Sequence, residues 1–212
     1  MVGRTLKHYI DNAAALVTRY EDADVKQLQH ELAEAFPSGT ELLELGCGSG
    51  RDAAFLLGKG FDVTVIDGCQ AMLDHAVRLH PELQERMHLL KLPGPIPFPD
   101  ADFDGVYAIA VLMHLDAEGT RAVLREVTRV LKENGRLFFS VSLHRDDVGE
   151  NGRDTKGRRF TSLAQDEWVE MCESLGLRAL SIREEEDGLG RADVRWGSFL
   201  FEKPMAGGAP PP

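Results

Sequence analysis

Apolar positions along this chain fall first at helical spacing and then at strand spacing. In "LKHYIDNAAALVTRY", Tyr9, Ala13, Leu16 and Tyr20 recur at intervals of three and four and give one apolar helix face. "DADVKQLQHELAEAF" opens with an acidic cap and repeats the pattern through Val25, Leu28, Leu32 and Phe36, after which "PSGT" turns the chain. From there strands and helices alternate. Buried strands are predicted at "ELLEL" (41–45), "FDVTVID" (61–67), "MHLLKL" (87–92), residues 103–110 and "RLFFSVSL" (136–143). Helices are predicted at "RDAAFLLGKG", "AMLDHAVRLH" and "DAEGTRAVLREVTRVLKENG", the last with a glycine stop, whereas "PGPIPFPDAD" sustains neither regular structure.

The pattern changes after Leu143. A polar, glycine-bearing loop runs to about Thr161, followed by an amphipathic helix "LAQDEWVEMCESLG". "LRALSIREEE" and "RWGSFLFEK" read as two strands turning around 187–190, hence an antiparallel hairpin at the end of the sheet. The tail "PMAGGAPPP" is expected to be disordered. Repeated βα units with such apolar strands predict an α/β, doubly wound fold, with a mostly parallel sheet covered by helices on both faces. The expected organisation is a helical cap over 1–37, a main domain over 38–204 and a tail over 205–212.

Composition narrows the function. The 212 residues suit one large domain with an appended cap, and the formal net charge of −11 repels a polyanion. The one basic cluster, "KGRR" (156–159), is short and stands beside acidic residues, so neither a nucleic acid nor a membrane is expected as partner. Cys47, Cys69 and Cys172 are odd in number and far apart, which indicates neither a disulfide frame nor a metal site. The opening "MVGRTLKHYI" lacks the apolar core of a signal peptide, and a cytoplasmic location is expected.

The candidate chemistry lies in "LLELGCGSGRD" (42–52), where an apolar strand breaks into three glycines in five positions. Gly46, Gly48 and Gly50 remove Cβ atoms where backbone must approach a ligand or take positive φ. Asp67 closes the second strand, and a carboxylate there can accept hydrogen bonds from a ribose diol. Aligned with the dinucleotide fingerprint GxGxxG, the loop places Arg51 at the third glycine, which argues against a nicotinamide cofactor. No Lys-Ser or Lys-Thr follows, which excludes a P-loop.

"ELGCGSG", then "VTVIDGCQAML", then "PIPFPDADFDGVYAIAVLMHL" and "LREVTRVLKENGRLFFSVS" resemble, in order and spacing, the motifs of class I S-adenosylmethionine-dependent methyltransferases over residues 38–143. The resemblance implies a Rossmann-like sheet of seven strands with an antiparallel last strand and S-adenosyl-L-methionine as cofactor; the acidic charge, the absence of a nucleic-acid module and the segments 1–37 and 143–162 as pocket walls point to a small-molecule acceptor. The resemblance also implies that Glu44, Gly46, Cys47, Gly48 and Gly50 border the methionine part, that Asp67 holds the ribose, and that Gly68, Cys69 and Met72 line the adenosine side. Ala108, Ile109 and Ala110 would pass beneath the sulfonium. Many relatives carry an acid after the third strand that meets the adenine amino group; this chain has "LLKLPG", in which Leu92 can cover the ring.

His114, just past the fourth strand, is the candidate catalytic base, with a structural role as the alternative. His144 follows the fifth strand on the same edge. Tyr9 and Tyr20 share a helix face, so they either pack in the core or cover the cofactor and shape an acceptor pocket together with His114 and His144. Arg51 is expected to cap the site or pair with a nearby acid, Glu184 to Asp187 to form a solvated acidic turn, and Arg191, Arg195 and Trp196 to sit at the hairpin. No metal is expected. A non-catalytic cofactor-binding sensor and a nicotinamide-dependent reductase are the rival readings.

Overall fold

The computed structural model describes residues 3–187 and 193–205. The elements follow in order: α1 (Arg4–Glu21), α2 (Lys26–Ala35), β1 (Glu41–Leu45), α3 (Arg51–Gly58), β2 (Asp62–Asp67), α4 (Gln70–Leu79), β3 (Met87–Leu89), β4 (Phe103–Ile109), α5 (Ala117–Val130), β5 (Leu131–Arg145), α6 (Gln165–Glu173), β6 (Arg178–Glu186) and β7 (Val194–Glu202). They build one seven-stranded sheet in the order β3-β2-β1-β4-β5-β7-β6. The strands β3, β2, β1, β4 and β5 pair in parallel, and β7 runs antiparallel to both β5 and β6.

Both sheet faces are apolar because the central strands are buried on both sides. One face carries Val106, Leu137, Phe139, Phe199 and Phe201 against α5 and α6, where Trp168 is fully buried. The other carries Leu42, Val63, Tyr107 and Phe138 against α2, α3 and α4. Helix α2 contributes Leu32, Ala35 and Phe36 to that second face. Helix α1 rides higher, its Leu6, Ala13, Leu16 and Val17 packed on Cys69 and Met72 at the start of α4.

Three expected boundaries shift. The third strand stops at Leu89 rather than Leu92, because its partner β2 offers pairing only as far as Asp67. Helix α5 ends at Val130, well before the predicted glycine stop at Gly135. Leu131 already pairs with Phe103, and Asn134 takes the left-handed φ of 60° that turns the chain into the main run of β5. The fifth strand accordingly spans 131–145 rather than 136–143. The expected hairpin turn at 188–190, Arg191 and the tail beyond Met205 lie outside the described residues.

Candidate functional site

The carboxyl ends of β1, β2 and β4 open into a cavity of about 230 Å³. Helix α1 roofs it through Leu6, Tyr9, Leu16 and Tyr20. This lies just below the roughly 300–1,000 Å³ usual for ligand sites.

The floor is the glycine loop. Gly46 leaves β1 with φ 73°, and a Cβ there would stand 2.6 Å from Val111 Cγ2, so only bare backbone passes beneath the end of β4. Gly50 serves packing instead. It is the left-handed N-cap of α3, and a Cβ would meet Leu83 at 2.8 Å, away from the cavity. Asp67 ties the loop to β2, since its Oδ2 accepts the Gly48 N–H at 3.0 Å and its Oδ1 the Cys69 N–H at 2.8 Å. Each oxygen keeps a second lone pair for a ligand hydroxyl. Burial pushes the Asp67 carboxyl up to about 6, with the backbone amides of Gly48, Cys69 and Gly68 opposing that rise.

Glu44 is fully buried beneath the loop, and its Oε2 has no hydrogen-bond partner among the described residues. The neighbouring Tyr107 hydroxyl is likewise unsatisfied by strict geometry. Burial, and then the charge of Asp52, raise the Glu44 carboxyl well above the usual range. An orphaned buried carboxylate carries a cost that a ligand ammonium would relieve. Bare amides, a diol acceptor and a buried carboxyl oxygen without a geometric partner are what an adenosyl amino acid requires, so the residues present fit S-adenosylmethionine. Beside them Arg51 makes a bidentate pair with Asp52 at 3.0 and 2.9 Å and donates to the Tyr20 carbonyl, which fastens α1 to the start of α3.

Of the residues singled out from the sequence, the cavity brings together Glu44, Gly46, Cys47, Gly48, Asp67, Met72, Ile109, Ala110, Tyr9, Tyr20 and His114. Gly68 lies against the Lys91 backbone, and Leu92 and Ala108 are packed in the core on the α5 side, so these three do not line it. Leu92 therefore does not cover a ring in this cavity. His144 is set apart as well. It is half exposed and paired with Asp146 at 2.8 Å, because the β5 pairing shifts register between Ser142 and His144.

His114 is fully buried with both ring nitrogens engaged. Nδ1 donates to the Arg159 carbonyl at 2.6 Å, which fixes the tautomer and leaves Nε2 to accept the Tyr9 hydroxyl at 3.0 Å. Burial holds its pKa down at about 4, so the ring is neutral near pH 7. As a direct proton acceptor His114 is blocked in this arrangement, contrary to the sequence expectation. It joins three segments instead: α1 through Tyr9, the turn after β4, and the 146–163 loop through Arg159. Thr161 N–H donates to the Met113 carbonyl at 2.7 Å and Arg159 N–H to Thr5 Oγ1 at 2.9 Å, which completes the junction.

Sequence reasoning missed much of the wall at this end. Phe160 is stacked by the Arg145 guanidinium at 4.2 Å and the Arg158 guanidinium at 5.1 Å, each of which is paired with an aspartate, Asp147 and Asp154. The "KGRR" cluster signalled Arg158, but nothing periodic signalled Phe160. The acidic turn is also corrected. Asp187 is 8% exposed and accepts the Trp196 Nε1–H at 2.8 Å, so it is a buried wall element rather than a solvated one.

Comparison with known proteins bears on the family and the fold. Residues 43–139 match a family profile described as a methyltransferase domain. The chain is 31% identical over 107 residues to the O-methyltransferase resE of Aspergillus sclerotiorum, a match covering 49% of this chain and 40% of that protein. It is 35% identical over 107 residues to the S-adenosyl-L-methionine-dependent Diels-Alderase iliD of Neonectria sp. (strain DH2), covering 50% of this chain and 40% of that protein. The chain thus spans less than half the length of either relative. The 1,6-didemethyltoxoflavin-N1-methyltransferase of Burkholderia thailandensis, crystallised with 1,6-didemethyltoxoflavin and S-adenosylhomocysteine, superposes with a TM-score of 0.77. That superposition covers 95% of this chain and 88% of that chain at 17% identity, a likeness of fold.

Proposed function

The chain carries a methyltransferase domain of the class I, S-adenosylmethionine-dependent family, and from that premise we propose that it transfers the methyl group of S-adenosylmethionine to a small-molecule acceptor. The observation that carries this reading is the meeting, in one cavity, of the Gly46–Gly48 backbone, Asp67 and the unpartnered Glu44 oxygen with the end of β4. When bound, the sulfonium supplies an already activated methyl group.

The residues of this chain then bind and orient. Glu44 offers its free oxygen to the amino group, Asp67 its remaining lone pairs to the ribose hydroxyls, and Met72 an apolar flank. Ile109 and Ala110 set the height at which an acceptor meets the methyl carbon. An acceptor held there would give an electron pair to that carbon as the carbon–sulfur bond breaks with its own pair left on sulfur, and any proton the acceptor atom carried would leave to water. Positioning of this kind is worth about 7–11 kcal/mol. A general base contributes about 10²–10⁴-fold, so the blocked geometry of His114 is no obstacle, and we assign His114 and Tyr9 to holding the α1 roof in place.

Incubation with methyl-labelled cofactor and an acceptor panel, with S-adenosylhomocysteine as the readout, tests the reading. Stoichiometric product supports transfer. Cofactor binding without S-adenosylhomocysteine formation across the panel would favour a non-methylating use of the same fold, as the name of the Diels-Alderase relative describes for that protein.

A further inference from the structure

The outer side of the α1 roof carries a second concavity. A groove of about 590 Å³ runs between the first turns of α1 and the turn at Lys156 and Gly157. Arg4, Lys7, His8 and Lys156 line it against one carboxylate, Asp11. Asp11 is already taken, since Lys7 Nζ reaches its two oxygens at 3.0 and 2.8 Å. The side chains of Arg4 and Lys156 are exposed and have no ion-pair or hydrogen-bond partner among the described residues. His8 Nε2, which is buried, is likewise unpartnered among them.

This is a local cluster of cations in a chain whose net charge is −11. Charges more than about 8 Å away are largely screened at physiological salt, so the nearby groups decide what the groove attracts. No acidic residue occupies the first turn of α1, whose free amides add to the positive end. Burial, and then the charges of Arg158 and Lys156, hold the His8 imidazole below its ordinary pKa, so the cations act on one another across the groove.

The groove also lies between the two segments that close the cofactor cavity. Helix α1 roofs that cavity, and the 146–163 loop supplies Arg158 and Phe160 to its wall. The Arg159 N–H donates to Thr5 Oγ1 at 2.9 Å, which links the loop to the residue next to Arg4.

We propose that this groove is a regulatory site for a small multivalent phosphate anion, held between Arg4 and Lys7 on α1 and Lys156 on the loop, and that its occupation tightens the roof over bound cofactor. The coupling rests on the methyl-transfer reading above, whereas the anion site itself does not. Phosphate oxygens suit a guanidinium through paired charge-assisted hydrogen bonds, and a diphosphate offers charge to both walls at once. An anion that ties α1 to the loop favours the closed roof, so anion and cofactor raise each other's affinity by the same factor.

The probe is inorganic pyrophosphate, titrated by calorimetry into the full chain at about 0.15 M salt. Binding with a Kd below about 1 mM is expected, tightening about threefold when the chain is saturated with S-adenosylhomocysteine. The double variant Arg4→Gln/Lys156→Gln should weaken pyrophosphate at least about tenfold. Its affinity for S-adenosylhomocysteine without pyrophosphate should stay within about twofold of the parent, which also reports a folded cavity. Competition between pyrophosphate and S-adenosylhomocysteine, which would put the anion in the cofactor cavity, overturns the proposal. So does unchanged pyrophosphate affinity in the double variant, an absence of coupling between the two ligands, or equal tightening by sodium chloride at matched ionic strength. Failure of the parent to bind S-adenosylhomocysteine at all would overturn the transfer reading instead, while pyrophosphate binding and its loss in the variant would still report on the groove.

Discussion

The two ends of the site are built by different means. The end over β1 and β2 is made of backbone: Gly46 and Gly48 leave a strand, and Asp67, nineteen positions beyond Gly48, accepts the Gly48 and Cys69 amides at 3.0 and 2.8 Å. The end over β4, β5 and β7 is made of side chains from four distant segments, with Tyr9, His114, Phe160 and Trp196 each on a different one. This cradle tolerates little change at Gly46, where an added Cβ would stand 2.6 Å from Val111 Cγ2 on backbone of positive φ. Side-chain walls can be rebuilt one residue at a time, which is how one fold can serve many acceptors.

Substitutions that follow this contrast should fall in a definite order. The largest effect belongs to Gly46→Val. Its Cβ would clash with Val111 at a positive φ, and S-adenosylhomocysteine affinity should fall by more than about 100-fold by titration, in protein whose circular dichroism remains folded. Asp67→Asn should weaken the same ligand about 10- to 100-fold, because an uncharged amide binds both the loop and a diol less well. In the parent chain that affinity should also fade as pH drops through about 6, where Asp67 takes up its proton.

The same two regions respond to pH with opposite sign. Asp67 in the folded chain titrates at about 6 against an ordinary 3.8, so it binds protons that the unfolded chain has released and lowers stability as pH rises through that window. His114 titrates at about 4 against an ordinary 6.5, so the unfolded chain holds the extra proton and stability falls as pH drops through its window. Relative to the parent, Asp67→Asn should therefore gain stability from pH 4 to 6, and His114→Gln should lose it from pH 4 to 6.5, each by up to about 3 kcal/mol in urea unfolding. Parallel slopes in the two variants would break the contrast.

Smaller effects belong to the side-chain end. Tyr9→Phe removes the donor to His114 Nε2 and should lower methyl transfer roughly three- to tenfold while changing S-adenosylhomocysteine affinity by less than about twofold. His144→Ala, at an exposed residue paired with Asp146, should leave both within about twofold.

This division also explains what could be read from the sequence. Alternating apolar strands and helices announced a mostly parallel sheet, though not its strand order, and the glycine spacing with Asp67 announced the cofactor end, because both are local patterns of backbone and burial. The end of α5 was misjudged because Leu131 is drawn into pairing with Phe103, a contact 28 positions distant that outweighs a glycine four residues on. "EEED" read as solvated because its charge density is local, whereas the Trp196 that covers Asp187 arrives from the facing strand. His114 was legible as a residue at the mouth, but not that Tyr9, 105 positions earlier, would occupy its free nitrogen.

The most direct measurement is calorimetric titration of S-adenosylhomocysteine, alongside NAD(H) and NADP(H), into the parent chain and Asp67→Asn. The account expects one-site binding of S-adenosylhomocysteine to the parent, marked weakening in Asp67→Asn, and no heat from either nicotinamide. Binding of a nicotinamide alone, or S-adenosylhomocysteine affinity indifferent to Asp67, would contradict it.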